Sequence, residues 1–448
     1  MECTRNSFAI VILNGLLLLG FASMASAENE QEMSIEERIK ALERVSEEFV
    51  AHEEEEQHLK EQREREADAA SSGYSGSGSL IYARPGYSRS RAVIGGYIDL
   101  EYTNLAGPTN AIRNSNSTFD QHRFVPFIYA DVTERTRVAA ELEIEHGGDD
   151  IDIEFAVIDH AFAEWFNLRA GVVLLPVGKF NLIHDSPIND LTARPEVNLR
   201  VIPGVLREPG IGFYGTVFPT KLSKLDYEFY VTTGMNGFSE DDTSRITNAA
   251  GLRDSRWNKT DIGSNFDNNN GKALSGRVAF SPILGLELGV SGYRATIDPA
   301  SDRSLTISAL DWTLQRGPWE LLGELAYTNI EDNNRDLAGQ FTGNPERMSG
   351  YYVQANYHFM PQAVKRMAPR YFRDDATFTG VLRIDDVNTN LDASGGAGDI
   401  FRITPGLNFR PTEDTVFKFE YQFNFEPNRI ASREMNNNGV LLSIATYF

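Results

Sequence analysis

Phe417-Lys418-Phe419-Glu420-Tyr421-Gln422-Phe423-Asn424-Phe425 sets a ring at every second position and a polar side chain between. Successive side chains of a β-strand point to opposite faces, so this stretch is a strand with one oily and one wet side. The same period runs through Val138, Ala140, Leu142 and Ile144 against Glu141, Glu143 and Glu145, and through Leu225, Tyr227, Phe229 and Val231 against Asp226, Glu228 and Tyr230. Val440, Leu442, Ile444, Thr446 and Phe448 share one face of the last segment. A water-soluble sandwich alternates in the same way, so alternation alone leaves two architectures open.

The signal segment, the loop rhythm and above all the C-terminal strand, which ends on Phe448, decide between them. Segments of this kind fall at 92–104, 119–131, 136–146, 151–164, 168–175, 210–218, 225–236, 272–281, 286–297, 303–315, 318–329, 348–359, 372–386, 399–409, 415–425 and 438–448, about sixteen strands. Short connections such as 132–135, 165–167 and 282–285 tend to alternate with long ones such as 176–209, 237–271 and 330–347. Short turns at one end and long loops at the other predict an all-β fold, a transmembrane antiparallel β-barrel of the bacterial outer membrane surrounded by lipid. Trp165, Trp312 and Trp319 fall at or near short-turn ends, where an aromatic girdle would sit. The period slips near Ile158-Asp159 and Ala309-Leu310, which predicts a β-bulge at each.

The segments before the barrel have other compositions. Residues 1–27 carry Arg5, an apolar run from Phe8 to Ala22 and a small-residue site at Ala25-Ser26-Ala27, the pattern of a secretory signal peptide. Residues 28–70 are an acidic helical prefix, with Ile35, Leu42 and Phe49 seven apart and Val45 at the other seam position of a coiled-coil-like heptad. Residues 71–91 are a Gly/Ser-rich linker, leaving 92–448 for the barrel. Over all 448 residues, 42 Lys+Arg stand against 64 Asp+Glu, a net charge of −22, which argues against nucleic acid as a partner. The single cysteine, Cys3, lies in the signal segment, so thiol and Cys-ligated metal chemistry is not expected of the mature chain.

No catalytic constellation stands out. The seven histidines form no His-x-x-x-His pair and accompany no nucleophile motif, which favours solvated or girdle histidines over an enzyme or a metal centre. Asp267-Asn268-Asn269-Asn270-Gly271 imitates a calcium loop, but its glycine is one place early and no glutamate follows, so a surface loop is expected. The expectation is therefore no enzyme, no cofactor and no metal. The informative connection is 176–209, with Lys179, Arg194, Arg200 and Arg207 against Asp185, Asp190, Glu196 and Glu208, and apolar Leu182, Ile183, Val197 and Val201. Balanced charge with apolar anchors suits a loop tucked inside a barrel, where it would narrow the pore. An outward loop packed on its neighbours is the alternative.

Phe119-Asp120-Gln121-His122-Arg123-Phe124-Val125, Glu141-Leu142-Glu143-Ile144-Glu145-His146, the run from Ala170 to Gly178, Arg194-Pro195-Glu196 and Arg207-Glu208-Pro209-Gly210-Ile211-Gly212 resemble a porin. More narrowly, the chain resembles the phosphate-selective porin O and P family and its general-porin relatives, most firmly over roughly 92–236. The resemblance implies a sixteen-stranded homotrimer, an inward third loop and passive uptake of small hydrophilic solutes or ions. It also implies a terminal strand whose Phe448 is read by the barrel-assembly machinery. Gly96 and Gly323 on the outward face are expected to leave room for subunit contact.

One departure concerns charge. The wet faces carry Asp99, Glu101, Glu141, Glu143, Glu145, Asp152, Glu154, Asp226, Glu228, Glu287, Glu320, Glu324, Asp385 and Glu420 against Arg123, Arg137, Arg169, Arg277, Arg383, Arg402 and Lys418. Phosphate selectivity in that family depends on basic residues, whereas this lining would favour cations. Two alternatives to a general porin stay open, a phosphate- or anion-selective porin and an envelope tether through the 28–70 prefix.

Overall fold

Alternating side chains come out on opposite faces of sixteen strands in the computed structural model, which describes residues 92–105, 117–238, 244–255, 269–368, 372, 376–393, 398–425 and 437–448. The strands are β1 (Ala92–Leu105), β2 (Thr118–Asp131), β3 (Thr136–Glu145), β4 (Asp150–Ala163), β5 (Phe166–Leu174), β6 (Arg207–Val217), β7 (Lys224–Thr232) and β8 (Ala273–Ile283). The series continues with β9 (Leu286–Thr296), β10 (Ser304–Arg316), β11 (Trp319–Ile330), β12 (Arg347–Phe359), β13 (Thr377–Asn388), β14 (Asp399–Thr412), β15 (Thr415–Phe425) and β16 (Gly439–Tyr447). Each pairs antiparallel with its sequence neighbours and β16 returns to β1, so the barrel is closed and no edge is left unpaired. Signal peptide, acidic prefix and linker, and with them the tether reading, fall on 1–91, outside the described residues.

The strands agree with the sequence reading in number and order, and their ends shift for local reasons. β6 starts at Arg207 because Arg207 still pairs with Leu174. β7 stops at Thr232 because Gly234 takes φ +103°, a left-handed conformation that glycine tolerates, and turns Met235 onto the Tyr293 hydroxyl at 2.9 Å. β13 starts at Thr377, five residues later than expected, after a helix, α1 (Gln362–Met367), in the long connection from β12.

The bulges are not where the period slipped. In β4 the register shifts at Glu154 and again at Phe162, and not at Ile158-Asp159. β10 pairs without interruption with both β9 and β11, so the slip at Ala309-Leu310 is no bulge. Leu305, Ile307 and Ala309 face inward and are apolar because other protein, rather than water, covers that part of the inner wall.

Rings gather near the short turns. Phe162, Phe166, Phe213 and Phe229 follow one another with centroids 5.5–6.0 Å apart, and Trp319, Tyr357, Phe359, Phe378, Phe409 and Phe417 do so at 4.5–6.3 Å. Trp165 and Trp319 are exposed at this end as expected. Trp312 instead lies within β10 with its ring over Gly323, and the Phe448 ring lies over Gly96. The space above both glycines is thus filled by the chain's own rings, which removes the reason for placing a subunit contact there.

Candidate functional site

The segment between β5 and β6 folds inside the barrel. Its neck is drawn shut by Leu175 N–H donating to Leu206 O at 2.9 Å and by Asn181. The Asn181 amide donates to Leu175 O and Leu206 O and accepts from Leu206 N–H, all within 3.0 Å. Beyond the neck the loop meets two separate sectors of the inner wall. Gly178 N–H donates to Ser291 Oγ at 2.8 Å and Phe180 N–H to Glu324 at 3.2 Å, while Thr192 N–H donates to Glu420 at 2.7 Å and Lys418 Nζ donates to Ser186 O at 2.6 Å. A short helix (Val197–Arg200) follows in the chain and packs against β11, β12 and β13.

Each charged residue of the loop has a distinct neighbour. Lys179 pairs with Glu287 at 3.1 Å and donates to Thr313 at 2.9 Å. Asp185 accepts from the Tyr447 hydroxyl at 2.9 Å, and Asp190 accepts from Asn356 at 2.7 Å and Asn408 at 3.0 Å. Glu196 is gripped by Arg200 and Arg402, each at 2.7 Å, and Arg207 pairs with Asp152. Arg200 also donates to Ala249 O. Arg194 reaches the sector that holds Arg123, Glu143 and Glu154, and its Nε and Nη2 are buried without a hydrogen-bond partner.

Of the loop's four basic residues, Arg194 and Arg207 stand near Glu143, while Lys179 faces β9 and β10 and Arg200 faces the loop after β7. On the wall, Arg123 holds Glu143 at 2.7 Å and Glu145 at 3.1 Å, and Arg137 holds Asp131 at 3.3 Å. Glu141 is 2% exposed and its Oε1 has no hydrogen-bond partner. Glu154 meets the loop's His184, a contact that histidine counting could not foresee.

Two loop groups have displaced titrations. Burial by itself would raise Glu196, but Arg402, Arg200 and Arg383 overcome it and hold the carboxyl down to about 2. Arg194 is lowered, first by burial and then by the like charge of Arg123.

Sequence reasoning missed a second inward segment. Met235, Phe238, Ile246 and Leu252, from the connection after β7, join Val197, Val201, Ile202 and Leu206 of the first loop in one apolar cluster with Leu305, Ile307, Ile330 and Met348 of the wall. Each such fully buried side chain contributes about 1.5–3 kcal/mol. The signal was present in the apolar inner positions of β10, which were assigned to a bulge. A cavity of about 350 Å³ remains between the first loop and the wall, bordered by Lys179, Phe180, Asp190, Tyr352, Gln354 and Arg410 among others.

No protein-family model matches the chain. A protein of Aquifex aeolicus (strain VF5), described as uncharacterized, is 27% identical over 355 residues, covering 73% of this chain and 74% of its own. Among solved structures, the outer membrane channel DcaP of Acinetobacter baumannii superposes with a TM-score of 0.50 at 10% identity, over 81% of this chain and 99% of that one. OmpF of Salmonella typhi in complex with daunomycin does so with a TM-score of 0.51 at 10% identity, over 80% and 97%. The fold is that of outer-membrane porins. At such identities the likeness carries architecture alone, and the narrower resemblance to the phosphate-selective family rests on the sequence stretches that prompted it.

Proposed function

We propose that the protein is an outer-membrane porin admitting small hydrophilic solutes or ions by passive diffusion. The observation that carries this reading is the contrast between the barrel's two faces. Ile94, Ile98, Leu100, Phe124 and Ile128 are exposed on the outside, while Asp99, Arg123, Glu141 and Glu143 of the same sector point inward. In this reading Lys179, Asp185, Asp190, Arg194, Glu196, Arg200 and Arg207 belong to the constriction, and Arg123, Arg137, Glu141, Glu143, Glu145, Asp152 and Glu154 to the pore wall. Solutes pass beside the loop rather than through a straight central bore. Following the resemblance, the barrels form a homotrimer in outer-membrane lipid, placed there by the barrel-assembly machinery through Phe448.

Several inner-wall carboxylates are paired with neighbouring arginines. Asp159 with Arg169, Asp311 with Arg277 and Asp385 with Arg383 are paired at 2.9, 2.6 and 2.9 Å. The remaining preference is for cations and is mild. The anion-selective reading draws on Arg194, whose guanidinium is only partly satisfied and stands near Arg123. A planar bilayer separates the two. Discrete conductance steps with a reversal potential on the cation side support the proposal, strong preference for phosphate or chloride transfers it to the anion-selective reading, and absence of conductance overturns both.

A further inference from the structure

A register shift between β1 and β2 assembles a group that the pore reading does not use. Asp99 lies opposite Arg123 and Glu101 opposite Asp120, so Gln121 and His122 together face Leu100 alone. That is a bulge, and bulges re-aim side chains. On a regular strand His122 and Arg123 would point to opposite faces. Here both serve the inner one, beside Asp99 and Glu101, which share a face by their spacing of two.

We propose that Asp99, Glu101 and His122 bind a divalent transition-metal ion of the zinc type on the inner wall of the barrel. His122 Nδ1 lies 2.8 Å from Glu101 Oε1 and 3.4 Å from Asp99 Oδ2, and the three donor atoms all lie within 4.8 Å of one another. Metal bonds of about 2.0–2.2 Å place neighbouring ligand atoms roughly 3–4 Å apart, so small side-chain adjustments suffice. The donor set, one imidazole and two carboxylates, suits a borderline ion better than calcium or magnesium, which take oxygen alone.

A second observation points the same way. Asp99 is 1% exposed, and its other oxygen, Oδ1, is buried with no hydrogen-bond partner. A buried carboxylate left half satisfied is costly, and a cation in the cluster relieves that cost. Of the neighbouring cations, Lys418 also stands near Asp99 and would share it with the ion. Arg123 is held by Glu143 and Glu145, and Lys418 donates to the Ser186 carbonyl at 2.6 Å. Glu145 Oε1 lies 3.9 Å from His122 Nε2, on the side from which a carboxylate orients a metal-ligating histidine. His146, whose ring is centred 5.8 Å from that of His122, has its own partner in Asp120 at 2.7 Å and stands outside the site. Two carboxylates and a dication sum to neutral, and binding displaces a proton wherever His122 is protonated.

The test uses the full chain, folded in detergent, stripped with a chelator and titrated calorimetrically with Zn²⁺ alone. The expected result is one Zn²⁺ per chain, weakened about 10- to 100-fold or more by Glu101→Gln and by His122→Ala and unchanged by His146→Ala. Glu101→Gln is nearly isosteric and decides the matter if His122→Ala does not fold. Lack of binding to the wild-type chain at millimolar Zn²⁺, or binding that survives both changes, overturns the proposal. The readout is ion binding, so it is independent of whether the barrel conducts.

Discussion

Glu196 shows how much one carboxylate can do inside the barrel. Its depressed titration means that its contribution to loop docking is fully present above the ordinary carboxylate range, near pH 5, and is lost as pH falls toward about 2. A shift of that size corresponds to something on the order of 3 kcal/mol. Protease sensitivity of the 175–206 segment should therefore rise between about pH 5 and pH 2. Glu196→Gln should raise it already at neutral pH, because Arg402 and Arg200 lose their shared partner. Identical protease profiles for variant and wild type across that range would show that the carboxylate does not hold the loop. Sequence reading found Glu196 as a charged loop residue but could not find Arg402, which approaches only because β14 lies across the lumen. Asn181, the clamp of the neck, was invisible for the same reason, since an asparagine in a loop has no spacing signature.

At the scale of elements, closure of the seam and docking of the loops are separable. Phe448 exchanges backbone hydrogen bonds with Gly96 at 2.9 and 3.2 Å, and its ring stacks on Phe124 at 5.9 Å. These contacts extend β16 against β1 at the point where the sheet closes. Deleting Phe448 should reduce the yield of heat-modifiable barrel in cells, while barrels that do form should unfold at nearly the wild-type temperature. Equal yields would remove Phe448 from assembly. The second inward segment makes a different prediction. Ile246 is fully buried in the apolar cluster, so Ile246→Asp should expel that segment at a cost of several kcal/mol and raise single-channel conductance without opening the barrel. Unchanged conductance would mean that the segment stands clear of the permeation path. The misplaced bulge in β10 belongs at this scale too, because an apolar inner face and a skipped residue leave the same trace in a one-dimensional pattern.

For the whole molecule the question is which charges the permeating ion feels. Glu145 and Glu101 have side chains 18% and 16% exposed, whereas Glu141 is sealed in protein. Glu101→Gln with Glu145→Gln should thus move the reversal potential in a salt gradient toward anions, and Glu141→Gln should move it less. The difference should fade as salt rises, since charges in a wet pore are screened over about 8 Å at physiological ionic strength. An equal shift from Glu141→Gln would mean that the sealed carboxylate faces the permeation path after all. Assembly is tested by mass. The resemblance to porins predicts a trimer in mild detergent, and since Phe448 and Trp312 fill the space above Gly96 and Gly323, substituting either glycine should disturb the barrel's own packing before it disturbs association. Monomers alone would leave the single barrel as the working unit.

The sequence by itself determined the class of fold, the order of the strands and, for most of them, which face is polar and which apolar. A period of two is a property of the backbone, and one residue of slip would have turned every apolar side chain to the wrong face. It also determined which end carries the long loops and which residues are charged. Only the tertiary structure decided where those charges go. Lys179 meets Glu287 and Glu196 meets Arg402, between positions far apart in the chain, and His184 folds back onto Glu154 of β4. It decided as well that His122 turns inward beside Asp99 and Glu101, through a register shift between two paired strands. Periodicity records what each strand faces on average. Closing the barrel and folding loops into it brings distant residues together, and no local pattern encodes that meeting.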